Sequence, residues 1–385
     1  MKQYYKPLTG IRAIAAYMVY VHHFNPGLDV FNSPTLRDIF NELHIGVTVF
    51  FTLSGFLIAA RYLDKAEFNA KYIFRYFTNR FARIYPLYFL LNTIIFTTFY
   101  LHDPVPKVLT EYVMNITFLK GFSWKYFGTG LQQAWSLTVE ECFYLFALVF
   151  FLALQSGGRA RRILVWVAAT VLLPLTGFAL KYLFNTLEMP FFEDNELVIS
   201  FTFFGRFIEF FIGIGLAILI KKYQFRFRFF TYTGLAFFAL GVYFLIRLEH
   251  IYDIPFGTKH PLGVAVNNIY LPLALATLFL GLIQERTLVS RLLSTNVFSV
   301  LGKSSYAFYL VHMGFFQALL AEQINTKTPL GALLIFLNLV MFSIALFYLF
   351  EEPANKAIRA LTARLGWQTP ISSSSTSALS KVTAQ

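Results

Sequence analysis

Ten apolar stretches, each long enough to cross a membrane as a helix, constrain this chain more than any other feature. A membrane-spanning helix needs about 20 predominantly apolar residues. Apolar residues make up 57% of the 385-residue chain and charged residues only 14%, a composition too apolar for one large soluble domain. The sequence therefore predicts an all-α polytopic membrane protein. Its ten predicted spans lie near 8–24, 42–60, 84–101, 135–155, 163–182, 199–220, 229–246, 264–284, 304–321 and 329–350.

Lysine and arginine are distributed unevenly between the two sides of these spans. Cytoplasmic loops of membrane proteins contain the excess of positive charge. The basic segments, all on one predicted side, are residues 2–6, 61–83, 159–162, 221–228, 286–303 and 356–381. The opposite side includes the acidic loop 186–198. We therefore predict that both termini are cytoplasmic. The net charge of +12 is then mainly a topology signal and no evidence for nucleic-acid binding.

Residues 1–360 are expected to form one membrane domain, followed by a polar, disordered cytoplasmic tail at 361–385. The single cysteine, Cys142, excludes an internal disulfide. The N-terminal segment has no signal-peptide cleavage pattern, so the first span is expected to stay uncleaved. The longest outer loop, 102–134, is too short for a catalytic domain of its own.

Arg12 and His23 both lie in the first apolar stretch, where an ionisable residue is costly and indicates function. Eleven residues turn a helix by about 1100°, roughly 20° past three full turns, so the two share a face about 16 Å apart along the axis. His22 lies about 80° to the other side of Arg12. The pattern predicts a permanent cation near the cytoplasmic end and a proton carrier near the outer end. The alternative is a snorkelling arginine and an interfacial histidine.

Arg80 and Arg83 close the basic loop before the third span. At i, i+3 spacing they share one helical face at the predicted cytoplasmic mouth. The planar guanidinium group donates several hydrogen bonds at once and suits phosphate. Ordinary anchoring by the positive-inside rule is the alternative.

Glu140 and Glu141 follow Trp135 and Ser136 at the outer end of the fourth span. We predict that they lie one to two turns below the outer surface, at about the depth of His23. A carboxylate there could orient the imidazole and stabilise its protonated form. The alternative is a cap, with Ser136 at the helix start and a glutamate completing the first turn. Trp135 also suits the interfacial aromatic belt.

Two further groups of polar residues lie in the spans. Arg206 and Glu209, one turn apart in the sixth span, either neutralise each other or are functional. The ninth span contains Tyr306, Tyr309 and His312. We interpret His312, placed near mid-membrane, as a hydrogen-bonded structural residue.

Small and helix-breaking residues complete the pattern. Ser54 and Gly55 permit close helix approach or ligand passage. Glu351 and Glu352 end the last span, where they could pair with basic loops, and Pro353 is expected to stop the helix.

Taken in order, these segments resemble the acyltransferase-3 family of integral membrane acyltransferases. The resemblance extends to about residue 360. It rests on LTGIRAIAAYMVYVHHF, VFFTLSGFLI, RFARIYPLY, WSLTVEECFYL, LGKSSYAFYLVH and FEEP, which match the family's motifs in order and in topological position. The departures are Thr138 for serine, Cys142 for glutamine, Lys303 for arginine, and Val311 and Met313 for the aromatic residues that often flank His312.

The resemblance implies O-acyl transfer, most simply of acetyl, from cytoplasmic acyl-CoA to an extracytoplasmic hydroxyl. The implied acceptor is a glycan or lipid-linked sugar, such as lipopolysaccharide or exopolysaccharide, at the inner membrane of a bacterium. We predict that Arg12, Arg80 and Arg83 hold the donor phosphates, that His23 is the general base and that Glu140 orients it. Membrane lipid is the expected surrounding partner, and no metal ion is expected.

Several alternatives stay open at this point. His23 could instead form an acyl-imidazole intermediate. The same buried charges would suit a secondary transporter or proton-coupled exporter. A small hydrophobic molecule or a lipid could be the acceptor. Many relatives contain a fused extracytoplasmic hydrolase-like domain, which this sequence has no room for, so transfer is expected to finish in the membrane domain or to use a separate protein.

Overall fold

Helices make up the secondary structure of this protein in the computed structural model, which describes residues 5–364 except 68, 103, 104, 156, 224, 226 and 227. The expected tail lies outside the described residues from 365 onward, as do Lys2, Arg226 and Lys381. The main helices are α1 (Lys6–Phe24), α2 (Gly46–Tyr62), α3 (Ala70–His102), α4 (Trp135–Gln155), α5 (Arg159–Thr186), α6 (Phe203–Lys222), α7 (Phe230–Tyr252), α8 (Leu271–Gln284), α9 (Asn296–Val311), α10 (Pro329–Leu346) and α11 (Glu352–Arg364).

Short helical segments connect or extend these helices. The α-helical ones are Pro34–Asn41, Pro106–Ile116, Trp124–Phe127, Pro261–Ala265, Leu288–Leu293 and Phe315–Ala321. The 3₁₀ segments are Glu42–Ile45, Leu63–Lys65, Leu119–Phe122, Gln132–Ala134 and Gly257–Lys259. In the described part of the chain, single π-turns occur at Leu197–Phe201, Val266–Tyr270 and Phe347–Glu351.

The all-α membrane architecture is confirmed. Eight helical segments of the described residues are long and apolar enough to cross a membrane: Pro34–Lys65, Ala70–His102, Gln132–Gln155, Arg159–Thr186, Leu197–Lys222, Phe230–Tyr252, Pro261–Gln284 and Pro329–Arg364. The other two of the ten predicted spans are α1 and α9. Polar residues lower the mean hydropathy of α1, and α9 has only 16 residues. These two helices pack against each other, so each offers the other a partner in place of lipid.

Close helix packing surrounds the α1–α9 pair. Helix α2 packs along α6, α7 along α8, and α9 along α10, while α11 lies against α3. The α2–α6 contact depends on small residues, because a Cβ on Gly55 would clash with the carbonyl oxygen of Phe210 and one on Gly213 with that of Thr52. Gly55 therefore permits close helix approach, one of the two roles expected for it.

Two predicted helix ends are wrong. The ninth span was predicted at 304–321, but α9 ends at Val311 because the chain turns at Gly314, which adopts a φ of +73°. Pro353 does not stop the last helix. A π-turn directly connects α10 to α11, and Pro353 is the second residue of α11, inside one continuous helical segment. Helix α11 continues to Arg364, four residues past the expected boundary.

The segment between α3 and α4 folds inward. Asn115, Lys120, Ser123 and Gln133 are buried there. Lys120 Nζ donates hydrogen bonds to the carbonyl oxygens of Thr129 at 2.5 Å and Leu131 at 2.8 Å. Burial lowers the pKa of Lys120 to about 7. This packing covers the N-terminus of α4, so α4 begins below a folded layer rather than at the surface.

Candidate active site

A cavity of about 1240 Å³ opens between α1, α2, α3, α4, α9 and α11. Its inner wall is formed by Phe50, Ser54, Ser136, Glu140 and Tyr309, and its outer part is strongly basic.

Arg12, Arg80 and Arg83 all line this cavity. The sequence separates them by up to 71 positions, yet α1 and α3 bring them to one chamber. Arg80 lies over the rings of Tyr62 and Tyr144, with its guanidinium carbon 5.6 and 5.5 Å from the two ring centroids. Among the described residues, no carboxylate lies within ion-pair distance of these three arginines. Three half-buried cations without a paired carboxylate give this part of the cavity a positive charge that favours anionic ligands.

Seven further cationic residues line the same cavity, and the sequence analysis assigned none of them to a binding site. They are Arg61, Lys65, Lys221, Lys303, Lys356, Arg359 and Arg364. Among the described residues, the carboxylates on the wall are Glu140, Glu351 and Glu352. The basic residues of α11 were the sequence signal for this cluster, but the sequence analysis grouped them with the tail. With ten cationic residues against three acidic ones, the cavity favours a polyanionic ligand.

Glu140 lies on the cavity wall, and the prediction that it contacts His23 is wrong. Its Oε1 accepts hydrogen bonds from Ser54 Oγ at 2.6 Å and from the hydroxyl of Tyr144. Glu140 is thus held in the cavity, which His23 does not line. Capping is not its role either, since neither bond involves a backbone N–H.

Ser136 and Tyr309 close the inner end of the cavity. Their hydroxyl oxygens are 2.7 Å apart, so one donates to the other, and both lie within hydrogen-bond distance of the carbonyl oxygen of Gln133. The ring of Phe50 packs edge-on against that of Tyr309, with centroids 5.8 Å apart. The hydrogen bond between Ser136 and Tyr309 therefore connects α4 to α9 at this wall.

His23 lies beyond this wall and does not line the cavity. Its side chain is exposed near the end of α1. The ring of His312 is its neighbour, with centroids 5.4 Å apart, and His22 lies on its other side at 4.8 Å. His312 thus follows directly after the last residue of α9, Val311, and lies beside His23.

Arg206 and Glu209 form a buried ion pair, with Nε–Oε2 and Nη2–Oε1 distances of 2.7 Å. Arg206 also donates to Thr48 Oγ1 at 3.1 Å. Neither member of the pair lines the cavity. The mutual neutralisation weighed in the sequence analysis is the arrangement observed.

The other motif residues have packing contacts. Tyr306 lines the cavity and donates its hydroxyl to the carbonyl oxygen of Ile84 at 2.7 Å. Trp135 packs against Phe201, with ring centroids 4.9 Å apart. Glu141 is half-buried and turned away from the cavity. Trp135 and Glu141 therefore lie outside the chamber that contains the arginines.

A family model described as an acyltransferase domain matches residues 6–352, which include all the residues of the cavity's inner wall. The chain belongs to the acyltransferase-3 family. No solved structure shows a significant match.

Three relatives illustrate the similarity. A Staphylococcus aureus (strain COL) protein, named as an O-acetyltransferase by inference, is 23% identical over 94% of this chain and 59% of its own length. Peptidoglycan O-acetyltransferase OatA of Listeria monocytogenes is 29% identical over 39% of this chain and 25% of its own. An Acidianus two-tailed virus protein, named as an acetyltransferase by inference, is 36% identical over 28% of this chain and 31% of its own. The chain thus spans about three-fifths of the length of the staphylococcal relative.

Proposed function

We propose that this protein is a membrane O-acetyltransferase. It takes the acetyl group from acetyl-CoA on the cytoplasmic side of a bacterial inner membrane. It delivers that group to a hydroxyl of an extracytoplasmic glycan. The observation on which this rests is the basic cavity, whose three inner arginines have no paired carboxylate in the described part of the chain. Family membership and the O-acetyltransferase names of the relatives support the reaction class.

The distribution of charge in the cavity matches the distribution of charge in the donor. Coenzyme A has its phosphates at one end and its thioester at the other, joined by a flexible arm. In the proposal, Arg12, Arg80 and Arg83 hold the phosphates, and the arm runs toward Ser136 and Tyr309. The axial rise of about 16 Å from Arg12 to His23 is comparable with the length of that arm.

His23 is the proposed base. It takes the proton of the acceptor hydroxyl, the oxygen attacks the thioester carbonyl carbon, and the C–S bond breaks. The proton then leaves with the coenzyme A thiol. An acetyl group held on His23 before transfer balances equally well. In both routes the thioester must pass Tyr309, whose ring contacts Phe50 in the cavity and also His312, the neighbour of His23.

Glu140 has a different task in this proposal from the one predicted from sequence. It lies in the chamber of Arg12 and is held by Ser54 and Tyr144. We assign it to the donor side, where it sets the position of the thioester arm and balances the excess of positive charge.

The acceptor class rests on a relative's name. OatA is named as a peptidoglycan O-acetyltransferase, which makes a cell-wall glycan the first acceptor to test. The test uses purified protein in lipid nanodiscs with labelled acetyl-CoA and three acceptors: peptidoglycan fragments, a lipid-linked sugar and a free oligosaccharide. Coenzyme A release together with a mass increase of one acetyl group on a glycan is the expected result. No coenzyme A release with any acceptor would contradict an enzyme and favour a transporter.

A further inference from the structure

His312 terminates α9 and is fully buried, at 0% exposure. The chain turns directly after it, through Met313 to Gly314, so the ring is held at the corner between α9 and the short helix Phe315–Ala321. A histidine held at a buried corner cannot turn its ring toward water, and its two nitrogens must find partners inside the protein.

The hydrogen bonds of the ring fix its protonation pattern. His312 Nδ1 lies 2.8 Å from the carbonyl oxygen of Tyr309. The same oxygen accepts a hydrogen bond from Gln133 Nε2 at 3.0 Å. A carbonyl oxygen only accepts, so Nδ1 is the protonated nitrogen. The lone pair of a neutral His312 is therefore on Nε2.

That Nε2 atom is buried and has no hydrogen-bond partner among the described residues. Leaving a buried acceptor unsatisfied costs about 1–3 kcal/mol, so such an atom calls for an explanation. If only packing mattered at this corner, a residue with a donor to Tyr309 and no second nitrogen would be the more stable choice.

The neighbour of this ring is His23, whose centroid is 5.4 Å away with the ring planes 28° apart. Across the described ranges, the His23 ring has no hydrogen-bond partner. His22 differs, because its Nδ1 donates to the carbonyl oxygen of Asn41 at 2.6 Å. The ring of His22 is thus fixed to the backbone, whereas the ring of His23 still needs a group that orients it.

We propose that His312 is the residue that positions His23 for reaction. In the reacting complex Nε2 of His312 accepts the N–H of His23, which leaves the second nitrogen of His23 as a lone pair facing the acceptor hydroxyl. When His23 takes the hydroxyl proton, it becomes a cation with two N–H groups, and the bond to His312 strengthens. This fills the place that the sequence assigned to Glu140. The inference rests on the acetyl transfer proposed above and deepens it.

Two substitutions separate this role from a purely structural one. In His312→Asn the side-chain amide can still donate to the carbonyl oxygen of Tyr309, but the acceptor at the Nε2 position is lost. In His312→Gln the longer side chain places its amide oxygen close to the Nε2 position, while the bond to Tyr309 is weakened. A positioning role predicts that glutamine retains more activity than asparagine. A packing role predicts the reverse order.

The experiment measures kcat, the KM for acetyl-CoA and thermal unfolding for the wild type and both variants in nanodiscs. We expect kcat of His312→Asn to fall by about 10- to 100-fold, less than the 10²–10⁴-fold that a general base supplies. The KM for acetyl-CoA should stay unchanged, because His312 does not line the cavity. Unfolding temperatures close to that of the wild type show that both variants fold.

Each outcome decides something. Wild-type kcat in His312→Asn, or more activity in asparagine than in glutamine, overturns the positioning role while leaving acetyl transfer intact. If the wild type transfers no acetyl group, the proposed function is wrong and this inference fails with it. A loss of kcat in both variants with an equal loss of unfolding temperature assigns His312 to packing alone.

Discussion

Ser54 donates a hydrogen bond of 2.6 Å to Glu140, across the contact between α2 and α4. Tyr144, one turn further along α4, donates to the same carboxylate oxygen. Both hydroxyls approach from the wall of the basic cavity, so Glu140 is held in the chamber that contains Arg12. A carboxylate fixed by two donors can act on a ligand in that chamber, but it is not free to orient the ring of His23.

The first prediction separates the charge of Glu140 from its hydrogen bonds. In Glu140→Gln the amide oxygen can accept both hydroxyls, so the helix contact should survive while the charge is lost. We expect a fall in kcat/KM of about 10-fold, and a larger fall for Glu140→Ala, which leaves two buried donors unpaired. Steady-state kinetics with acetyl-CoA check this order. Equal activity of all three proteins would remove Glu140 from the donor site.

His23 and His22 are a matched pair of adjacent residues. Replacing His23 by Ala should lower transfer by at least 100-fold, because a general base contributes 10²–10⁴-fold. His22→Ala should keep most activity, since His22 is bonded to the backbone of Asn41. The measurement is acetylated product by mass spectrometry, with membrane insertion checked by fractionation. Equal losses in both variants would withdraw the assignment of His23.

The arginines of the inner cavity should set donor affinity. Single substitutions of Arg12, Arg80 or Arg83 by Ala should raise the KM for acetyl-CoA more than that for the acceptor. Lysine should restore binding only in part, because it lacks the planar fork. Arg162→Ala is the control, as this arginine is exposed at the start of α5 and away from the cavity. Calorimetry with coenzyme A gives the direct reading, and unchanged affinity in all three variants would leave them as topological anchors.

The Arg206–Glu209 pair should matter for stability rather than for donor binding. Removing one partner of a buried ion pair leaves an unpaired charge and costs about 3–5 kcal/mol. We therefore expect Arg206→Met to lower the unfolding temperature strongly, and the double variant Arg206→Met with Glu209→Leu to recover part of the loss. Thermal unfolding in detergent compares the two. A double variant less stable than Arg206→Met would show that the pair is more than mutual neutralisation.

Long-range features of the sequence predicted the fold and half of the site. Hydropathy located the helices, and the charge of the loops placed Arg12 and Arg80 at one end, where they do share a cavity. These predictions succeeded because hydropathy and loop charge act over whole segments and do not depend on one contact.

The remaining features of the site depend on local packing, which the sequence pattern does not predict. The position of Glu140 depends on how residues 105–134 pack over the start of α4, and buried Lys120 in that segment reads in the sequence as an ordinary loop cation. The position of His312 depends on a break at Gly314 inside an apolar run. Neither the packing of residues 105–134 nor the break at Gly314 changes the mean hydropathy or the helical periodicity of the sequence. Neither could therefore be predicted from the sequence pattern alone.

The last prediction concerns sidedness, because the proposed reaction depends on it. After Cys142 is replaced by Ala, a single cysteine at Asn195 should react with an impermeant maleimide added to intact cells, and one at Glu67 only after permeabilisation. Both positions are exposed, so a lack of labelling reports sidedness rather than burial. This result would place the acidic loop outside and the segment at the mouth of the basic cavity in the cytoplasm, where acetyl-CoA is found. The opposite pattern would put the cavity mouth on the side that has no acetyl-CoA and would remove the reason for proposing this donor.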